Sequence, residues 1–140
     1  MATINPYLTF NGECEEAFNF YKKAFKQEFI HISKFNEMPD FKDDNPELGN
    51  MIMHVSLPVS AETVLMGSDV SKEQLSLVKG NNISISINTE SKGEADTLFT
   101  ELSAGGKVTM ALQNTFWGAY FGMFTDKFGI HWMINFDEKN

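Results

Sequence analysis

Three histidines carry the side chains best suited to proton transfer in this 140-residue chain, because imidazole gains and loses a proton near neutral pH. His54 lies within an apolar, strand-like segment, where it is a candidate general base or hydrogen-bond donor; a satisfied core position is the alternative. His131 directly precedes Trp132 and is either a pocket residue or a plain strand residue beside a hairpin. His31 has no acidic neighbour in the sequence, so we predict a structural role for it.

The other reactive side chains point to structure rather than catalysis. Cys14 is the only cysteine, which excludes an internal disulfide and any CxxC metal site. It lies on the apolar stripe of a predicted helix, where a thiol behaves as a small hydrophobic group. Asp69 and Asp126 each follow a predicted strand, and we interpret them as turn residues rather than as an acid–base pair.

Composition excludes several classes of partner. Hydrophobic residues make up 42% of the chain and charged residues 21%, which is typical of a folded globular domain. The net charge of −8 argues against nucleic-acid binding and against a protein that binds membranes through a polybasic surface. It favours a cationic ligand, which the acidic loop from Glu37 to Glu47 could steer toward the protein. No apolar run approaches the roughly 18 residues of a membrane span, and the first residues do not resemble a signal peptide. We therefore expect a cytoplasmic protein that does not enter the membrane.

Hydrophobic periodicity places these side chains on a repeated set of elements. Alternation from Ile4 to Phe10 predicts a strand, and apolar residues at spacings of three and four from Cys14 to Phe25 predict a helix. Further strands are predicted over residues 28–35, 50–59 and 63–67, with an aperiodic loop from Asn36 to Gly49.

The second half restarts in the same order, and a shift that places Asn5 on Asn82 also places Leu8 on Ile85. A strand around Ile85 precedes a helix that opens with the capping-box spacing Ser91–Glu94, and strands follow over residues 107–112, 116–125 and 130–136. The sequence thus predicts one α+β domain of two βαβββ modules, at about 1–67 and about 82–140, joined by a connector at 68–81.

Two stretches resemble a known family. Pro6–Phe10 followed by Glu15–Ala17 resembles the opening of PhnB-like proteins, and Phe116–Gly118 with Thr125–Asn135 resembles their ending. Paired βαβββ modules are the defining unit of the vicinal oxygen chelate superfamily, the fold of glyoxalases, bleomycin-resistance proteins and extradiol dioxygenases. The resemblance covers the whole chain and implies that the strands form curved mixed sheets, each with a cup.

The metal site implied by the superfamily does not carry over. Its ligands are usually His, Gln or Glu on the first and fourth strands of each module, and these positions fall on Asn5, Met66, Asn82 and Met133. Two amides and two thioethers are poor ligands for the divalent ions of the family. We therefore predict that the metal site is absent and that the chain uses no cofactor.

Strand parity predicts which residues face the cup. Leu8, Ile83 and Trp132 belong to the face expected to pack on the helices, and the opposite face is polar. Trp117 with Tyr120 could stack on a planar ligand, or both could fill a core. The predicted ligand-binding residues are Tyr7, Thr9, His54, Ser84, Ser86, Trp117, His131 and Asn135. The alternative is that these residues fill the sheet interior and hydrogen-bond to each other.

The function predicted from these residues is binding of a small molecule in the sheet cup without the usual metal. The alternative is a metal-dependent lyase, isomerase or dioxygenase with non-standard ligands such as His54, His131 and Asp69, so enzymatic activity stays open. A purely structural or interaction module is the third alternative. The resemblance implies a homodimer, because one chain's module often completes the cup of the other. Some PhnB-like chains are called demethylubiquinone methyltransferases, but this chain has no strand–GxGxG–helix segment for a methyl donor.

Overall fold

The computed structural model describes residues 2–42, 45–70 and 77–138. The chain divides into two compact units, Met1–Val78 and Lys79–Asn140. Each unit contains a four-stranded mixed sheet and a twelve-residue helix. The α+β class and the repeated βαβββ order are therefore confirmed. Part of the predicted connector, residues 71–76, lies outside the described residues.

The first unit builds its sheet in the order β1-β4-β3-β2, with β1 parallel to β4 and the other pairs antiparallel. A short 3₁₀ turn at Phe35–Glu37 follows β2. The elements are β1 (Tyr7–Phe10), α1 (Cys14–Phe25), β2 (His31–Lys34), α2 (Pro46–Gly49), β3 (Ile52–Pro58) and β4 (Val64–Asp69).

Helix α1 forms because its apolar residues make one stripe and its charged residues match the helix dipole. Glu15 and Glu16 lie in the first turn, and Lys22 and Lys23 in the last. The stripe packs on one face of the first sheet so closely that a Cβ added to Gly67 would lie 2.6 Å from Phe18 Cε1. The buried stripe consists of Cys14, Ala17, Phe18, Tyr21 and Ala24.

The second unit repeats the topology with the order β5-β8-β7-β6, in which β5 is parallel to β8. Trp132, Ile134 and Phe124 are buried on the face that packs on α3. A Cβ on Gly122 would lie 2.7 Å from Phe99 of that helix. The elements are β5 (Ile85–Asn88), α3 (Lys92–Ser103), β6 (Lys107–Asn114), β7 (Ala119–Thr125) and β8 (His131–Asp137).

Half of the predicted capping box opens α3. Ser91 Oγ accepts the Glu94 backbone N–H at 3.0 Å, as predicted. The Glu94 carboxylate accepts the N–H of Glu90 at 2.8 Å, so it reaches back one residue further than a capping box requires.

Several predicted boundaries are wrong: β2 begins at His31 rather than at residue 28, and β7 begins at Ala119 rather than at residue 116. Strand β1 begins at Tyr7 rather than Ile4, because Pro6 has no N–H and the side chain of Asn5 accepts the Val64 N–H at 2.9 Å. Ile83 precedes β5 and is 76% exposed instead of packing on the helix. The segment predicted as a loop contains helix α2, whose first turn is capped by Asn45.

Candidate functional site

The face of the first sheet that lies opposite α1 is polar. Strand pairing sets Tyr7 against Met66, Met66 against Ser56, and Ser56 against His31, so these four side chains form one row across the sheet. We call this surface the first cup face. Its residues are Tyr7, Thr9, His31, Ser33, His54, Ser56, Met66 and Ser68.

His54 is the centre of a hydrogen-bonded group on the first cup face. Its Nδ1 lies 3.4 Å from the Tyr7 hydroxyl, and its Nε2 lies 2.9 Å from Ser56 Oγ. The Tyr7 and His54 rings lie 5.8 Å apart between centroids. His54 is half-buried and Tyr7 is 49% exposed, so solvent reaches this group. The structure therefore brings together two of the predicted ligand-binding residues, Tyr7 and His54.

His31 belongs to the same surface, although the sequence predicted no more than a structural role for it. Strand β2 pairs with β3, and the His31 ring centroid lies 5.9 Å from that of His54. Its Nε2 lies 3.2 Å from Ser33 Oγ. His31 and Ser33 are two residues apart in a strand and therefore face the same side of it. That spacing indicates the cup face only once the pairing of β2 with β3 is known.

The second sheet has a matching surface opposite α3. Pairing sets Ser86 against Met133, Met133 against Met123, and Met123 against Met110, so three thioethers lie side by side on neighbouring strands. We call this surface the second cup face. Its residues are Ser86, Asn88, Met110, Gln113, Phe121, Met123, Thr125, His131, Met133 and Asn135.

The polar residues of the second cup face bond to each other. His131 Nε2 lies 3.0 Å from the Gly80 carbonyl oxygen, which can only accept, so this nitrogen carries the proton. Its Nδ1 lies 2.8 Å from Thr125 Oγ1. Asn135 Nδ2 donates to Asn88 Oδ1 at 3.1 Å. Both predicted residues lie on the predicted face, and both hold neighbouring segments in place.

Two other predicted ligand-binding residues, Ser84 and Trp117, lie outside the strands of the cup faces. Ser84 is exposed and precedes β5 rather than lying in it. Trp117 lies in the loop before β7, 54% exposed, with its ring centroid 6.3 Å from that of Phe121 on the second cup face. The two rings that could have stacked together on a planar ligand lie on opposite faces of β7, because Tyr120 donates its hydroxyl to Asp96 of α3. That hydrogen bond is the main cause that raises the pKa of Tyr120.

Asp69 and Asp126 are buried and hold backbone. The Asp69 carboxylate accepts N–H groups from Gly12 and Cys14 on one oxygen and from Ile52 on the other. Asp126 accepts the Phe128 and Ile130 N–H groups on Oδ1 and the Trp132 indole N–H on Oδ2. Asp126 holds the turn between β7 and β8, as predicted, whereas Asp69 joins backbone segments that are distant in the chain instead of a local turn.

Two members of the non-standard metal set of His54, His131 and Asp69 do not lie together in the first unit. Asp69 pairs with Phe10 on the face that packs on α1, and His54 lies on the opposite face of the same sheet.

The positions implied for the superfamily's metal also do not fit a divalent ion. The Asn5 amide oxygen already accepts the Val64 N–H, and Asn82 lies in the exposed segment before β5. Met66 and Met133 offer soft thioethers on separate sheets. Within residues 2–42, 45–70 and 77–138, no cluster of three His, Cys, Asp or Glu side chains could hold a metal ion.

Comparisons with known proteins agree with this architecture. The family model described as 3-demethylubiquinone-9 3-methyltransferase matches residues 2–135. The crystal structure of protein PA1353 from Pseudomonas aeruginosa is 40% identical with a TM-score of 0.86, and the match covers 98% of each chain. The PhnB protein from Bacillus cereus is 25% identical with a TM-score of 0.75, over 96% of this chain and 99% of that one.

A more distant structure shares the fold alone. A glyoxalase/bleomycin resistance protein/dioxygenase family enzyme from Burkholderia phytofirmans is 13% identical, with a TM-score of 0.63 over 94% of this chain and 95% of that one. In the part of the chain that the structure describes, no helix is both long enough and apolar enough to span a bilayer.

Proposed function

The chain belongs to the 3-demethylubiquinone-9 3-methyltransferase family, in its PhnB-like form with the glyoxalase/bleomycin resistance/dioxygenase fold, and from that premise we propose that it binds a small molecule on its cup faces without a divalent metal. The proposal depends on one observation above all. Tyr7, His54 and His31 converge on a solvent-reached sheet face, while the opposite face of the same sheet is fully packed against α1.

The chemistry of the two faces supports binding rather than packing. A sheet face that serves only the core is apolar and closed, as Val55, Leu57 and Leu65 are on the α1 side. The first cup face instead presents hydroxyl and imidazole groups that can each donate or accept a hydrogen bond. On the second cup face, flexible thioethers of Met123 and Met133 can adapt to an apolar part of a ligand.

Metal-independent binding is supported by the donor set at the superfamily's ligand positions. An amide already committed to Val64 and the thioether of Met66 replace the imidazole and carboxylate groups that divalent ions prefer. Methyl transfer is not part of the proposal, despite the family's name. The sequence contains no strand–GxGxG–helix segment with which to bind a methyl donor.

A thermal-shift screen in the presence of a metal chelator tests the proposal. We expect at least one compound in a panel of small polar and planar molecules to stabilise the protein, by about 2.7 kcal/mol at a concentration 100 times its Kd. Tyr7→Phe removes the hydroxyl beside His54 and should weaken that stabilisation. Tyr120→Phe is the matched control, because its hydroxyl binds Asp96 on the other face of its sheet.

Three results would count against the proposal. One is a panel in which no compound shifts the melting temperature. Another is a shift that disappears when the chelator is added and returns with a divalent ion. The third is equal loss of ligand stabilisation in Tyr7→Phe and Tyr120→Phe, which would place the bound molecule away from the first cup face.

We also propose that the protein is a homodimer, and the support is the edge strand β6. Seven of its eight residues are exposed, among them the apolar Val108 and Met110. Long exposed edges with apolar side chains pair readily with a second chain. Light scattering after size exclusion should give twice the 15.8 kDa chain mass, and Val108→Lys should lower that mass while Thr97→Lys on α3 does not. A monomeric wild-type protein would refute this assembly.

A cytoplasmic location remains a prediction. It is supported by the single cysteine, Cys14, which is free and buried. Fractionation of cells that express the protein, followed by detection in the cytosolic and envelope fractions, tests it.

A further inference from the structure

The first cup face differs from the rest of this acidic protein in its electrostatics, and the difference indicates a class of ligand. We infer that this face binds a small organic anion through carboxylate or phosphoryl oxygens, and that binding strengthens as the pH falls. The inference rests on the proposed function, which it makes specific. It also reverses the cationic ligand that the net charge of −8 suggested.

The face is rich in groups that donate hydrogen bonds to oxygen. Tyr7, Ser33 and Ser56 contribute hydroxyl groups that already lie within 3.4 Å of an imidazole nitrogen. Thr9 and Ser68, which also carry hydroxyl groups, are paired residues on β1 and β4. A hydroxyl can turn its proton from a neighbouring imidazole toward a bound oxygen without any backbone movement.

Negative charge is absent from this surface. On strands β1 to β4 as the structure describes them, none of the residues that share the parity of His54 is Asp or Glu. The carboxylate in these strands is Asp69, which lies on the opposite face and is bonded to three backbone N–H groups. A bound anion would therefore meet no like charge within the sheet, although the chain as a whole carries 19 acidic residues.

The two histidines supply the pH dependence. From the neighbouring strands, the titratable groups that face His54 are His31 on β2 and Tyr7 on β1, while β4 contributes Met66 and Ser68. An anion bound beside the two rings, whose centroids lie 5.9 Å apart, stabilises their protonated form, so the bound state holds more protons than the free state. Affinity must then rise as the pH falls through the range in which imidazole titrates.

Three ring compounds of nearly equal shape isolate charge as the variable. Benzoate is an anion, benzamide is neutral and benzamidine is a cation; phenylphosphonate serves as a second anion. Calorimetric titration should show benzoate or phenylphosphonate binding. Benzoate, which carries the same charge at both pH values, should bind about tenfold more tightly at about pH 5.5 than at about pH 8, as one charge-assisted hydrogen bond would give. If only one anion binds, its identity separates carboxylate from phosphoryl recognition.

Variants connect the effect to the two rings. His31→Asn and His54→Gln should each remove most of the pH dependence, and Lys23→Gln, which removes a positive charge from the exposed side of α1, should keep it. NMR titration of the imidazole Cε1–H signals in the wild-type protein provides the same test if a variant fails to fold. The anion should move the midpoints of both rings to higher pH.

The outcomes separate this inference from the proposed function. Preferential binding of benzamide or benzamidine to the first cup face would overturn the anion inference and leave small-molecule binding standing. Benzoate binding that is independent of pH and of both histidines would also overturn it. Failure of all four ring compounds, together with a broad panel that produces no thermal shift, would overturn both.

Discussion

Asp69 Oδ1 lies 3.1 Å from the backbone nitrogen of Cys14, although 55 residues separate the two in the chain. The same oxygen accepts the Gly12 N–H at 2.7 Å. Helix α1 has no side-chain cap of its own at Glu13, so the end of β4 supplies the cap. One buried carboxylate therefore ties the start of the helix to the far end of the sheet on which the helix packs.

Replacing Asp69 by Asn should destabilise the protein by about 3 kcal/mol. An amide presents a nitrogen where the carboxylate presents an oxygen, so at least one buried N–H among Gly12, Cys14 and Ile52 would lose its acceptor. Urea unfolding measures the change, and Asp40→Asn in the exposed loop after β2 is the matched control, which should stay within about 0.5 kcal/mol. Equal stability of the two variants would show that the Asp69 carboxylate does not hold the helix start.

The Cys14 thiol should resist alkylation in the folded protein. It is fully buried, and burial, followed by the charges of Asp69 and Glu15, raises its pKa far above the usual range. Since the thiolate is the reactive form, iodoacetamide should label Cys14 slowly in buffer at about pH 8 and quickly in denaturing urea. Rapid stoichiometric labelling without denaturant would contradict the burial.

The same thiol should make stability fall at alkaline pH. In the unfolded chain a cysteine ionises near about pH 8.5, whereas folded Cys14 keeps its proton. Above that pH the unfolded state binds fewer protons than the folded state, so the free energy of unfolding decreases by at most about 1.4 kcal/mol per pH unit. Unfolding of wild type and Cys14→Ala at about pH 7 and about pH 10 isolates this contribution, because other groups titrate alike in both. A difference between the two proteins that does not change with pH would refute it.

Gly67→Ala should cost about 1–3 kcal/mol, because helix α1 leaves no room for a methyl group there. The added Cβ would lie 2.6 Å from Phe18 Cε1 and 2.8 Å from the Leu8 carbonyl oxygen. Gly93→Ala in α3 is the control, since nothing lies within 4 Å of its Cβ, and it should stabilise the protein by about 0.5–1 kcal/mol. If Gly67→Ala and Gly93→Ala shifted the melting temperature in the same direction, the tight packing of α1 on Gly67 would be contradicted.

Trp132→Phe should destabilise the second unit by about 1–3 kcal/mol. The change removes the indole N–H that donates to Asp126 Oδ2 at 2.8 Å, at a position that is 1% exposed. Trp117→Phe is the matched control at a half-exposed site, and its melting temperature should stay close to that of the wild type. If Trp117→Phe were the more destabilising of the two, the buried hydrogen bond would not be the reason.

The sequence by itself determined the elements and their faces. Alternation and three–four spacing are local properties, so helix α1, the repeated strand order and the polar parity of Tyr7, Ser86 and Asn135 could all be predicted from neighbouring residues. The motif around Trp132 also indicated the family. The start of β1 was predicted less well, because the Asn5 side chain accepts the Val64 N–H and so replaces part of the ladder.

Only the tertiary structure decided which strands are neighbours, and with them the candidate site. Pairing β1 with β4 and β2 with β3 sets Tyr7 opposite Met66 and brings His31 beside His54. It also aims Asp69 at the first turn of α1. These contacts join residues far apart in the chain, and their formation depends on burying the apolar face of each whole sheet against its helix. No pattern of neighbouring residues specifies this burial, so the sequence alone could not predict the contact between His31 and His54 or the cap that Asp69 provides for α1.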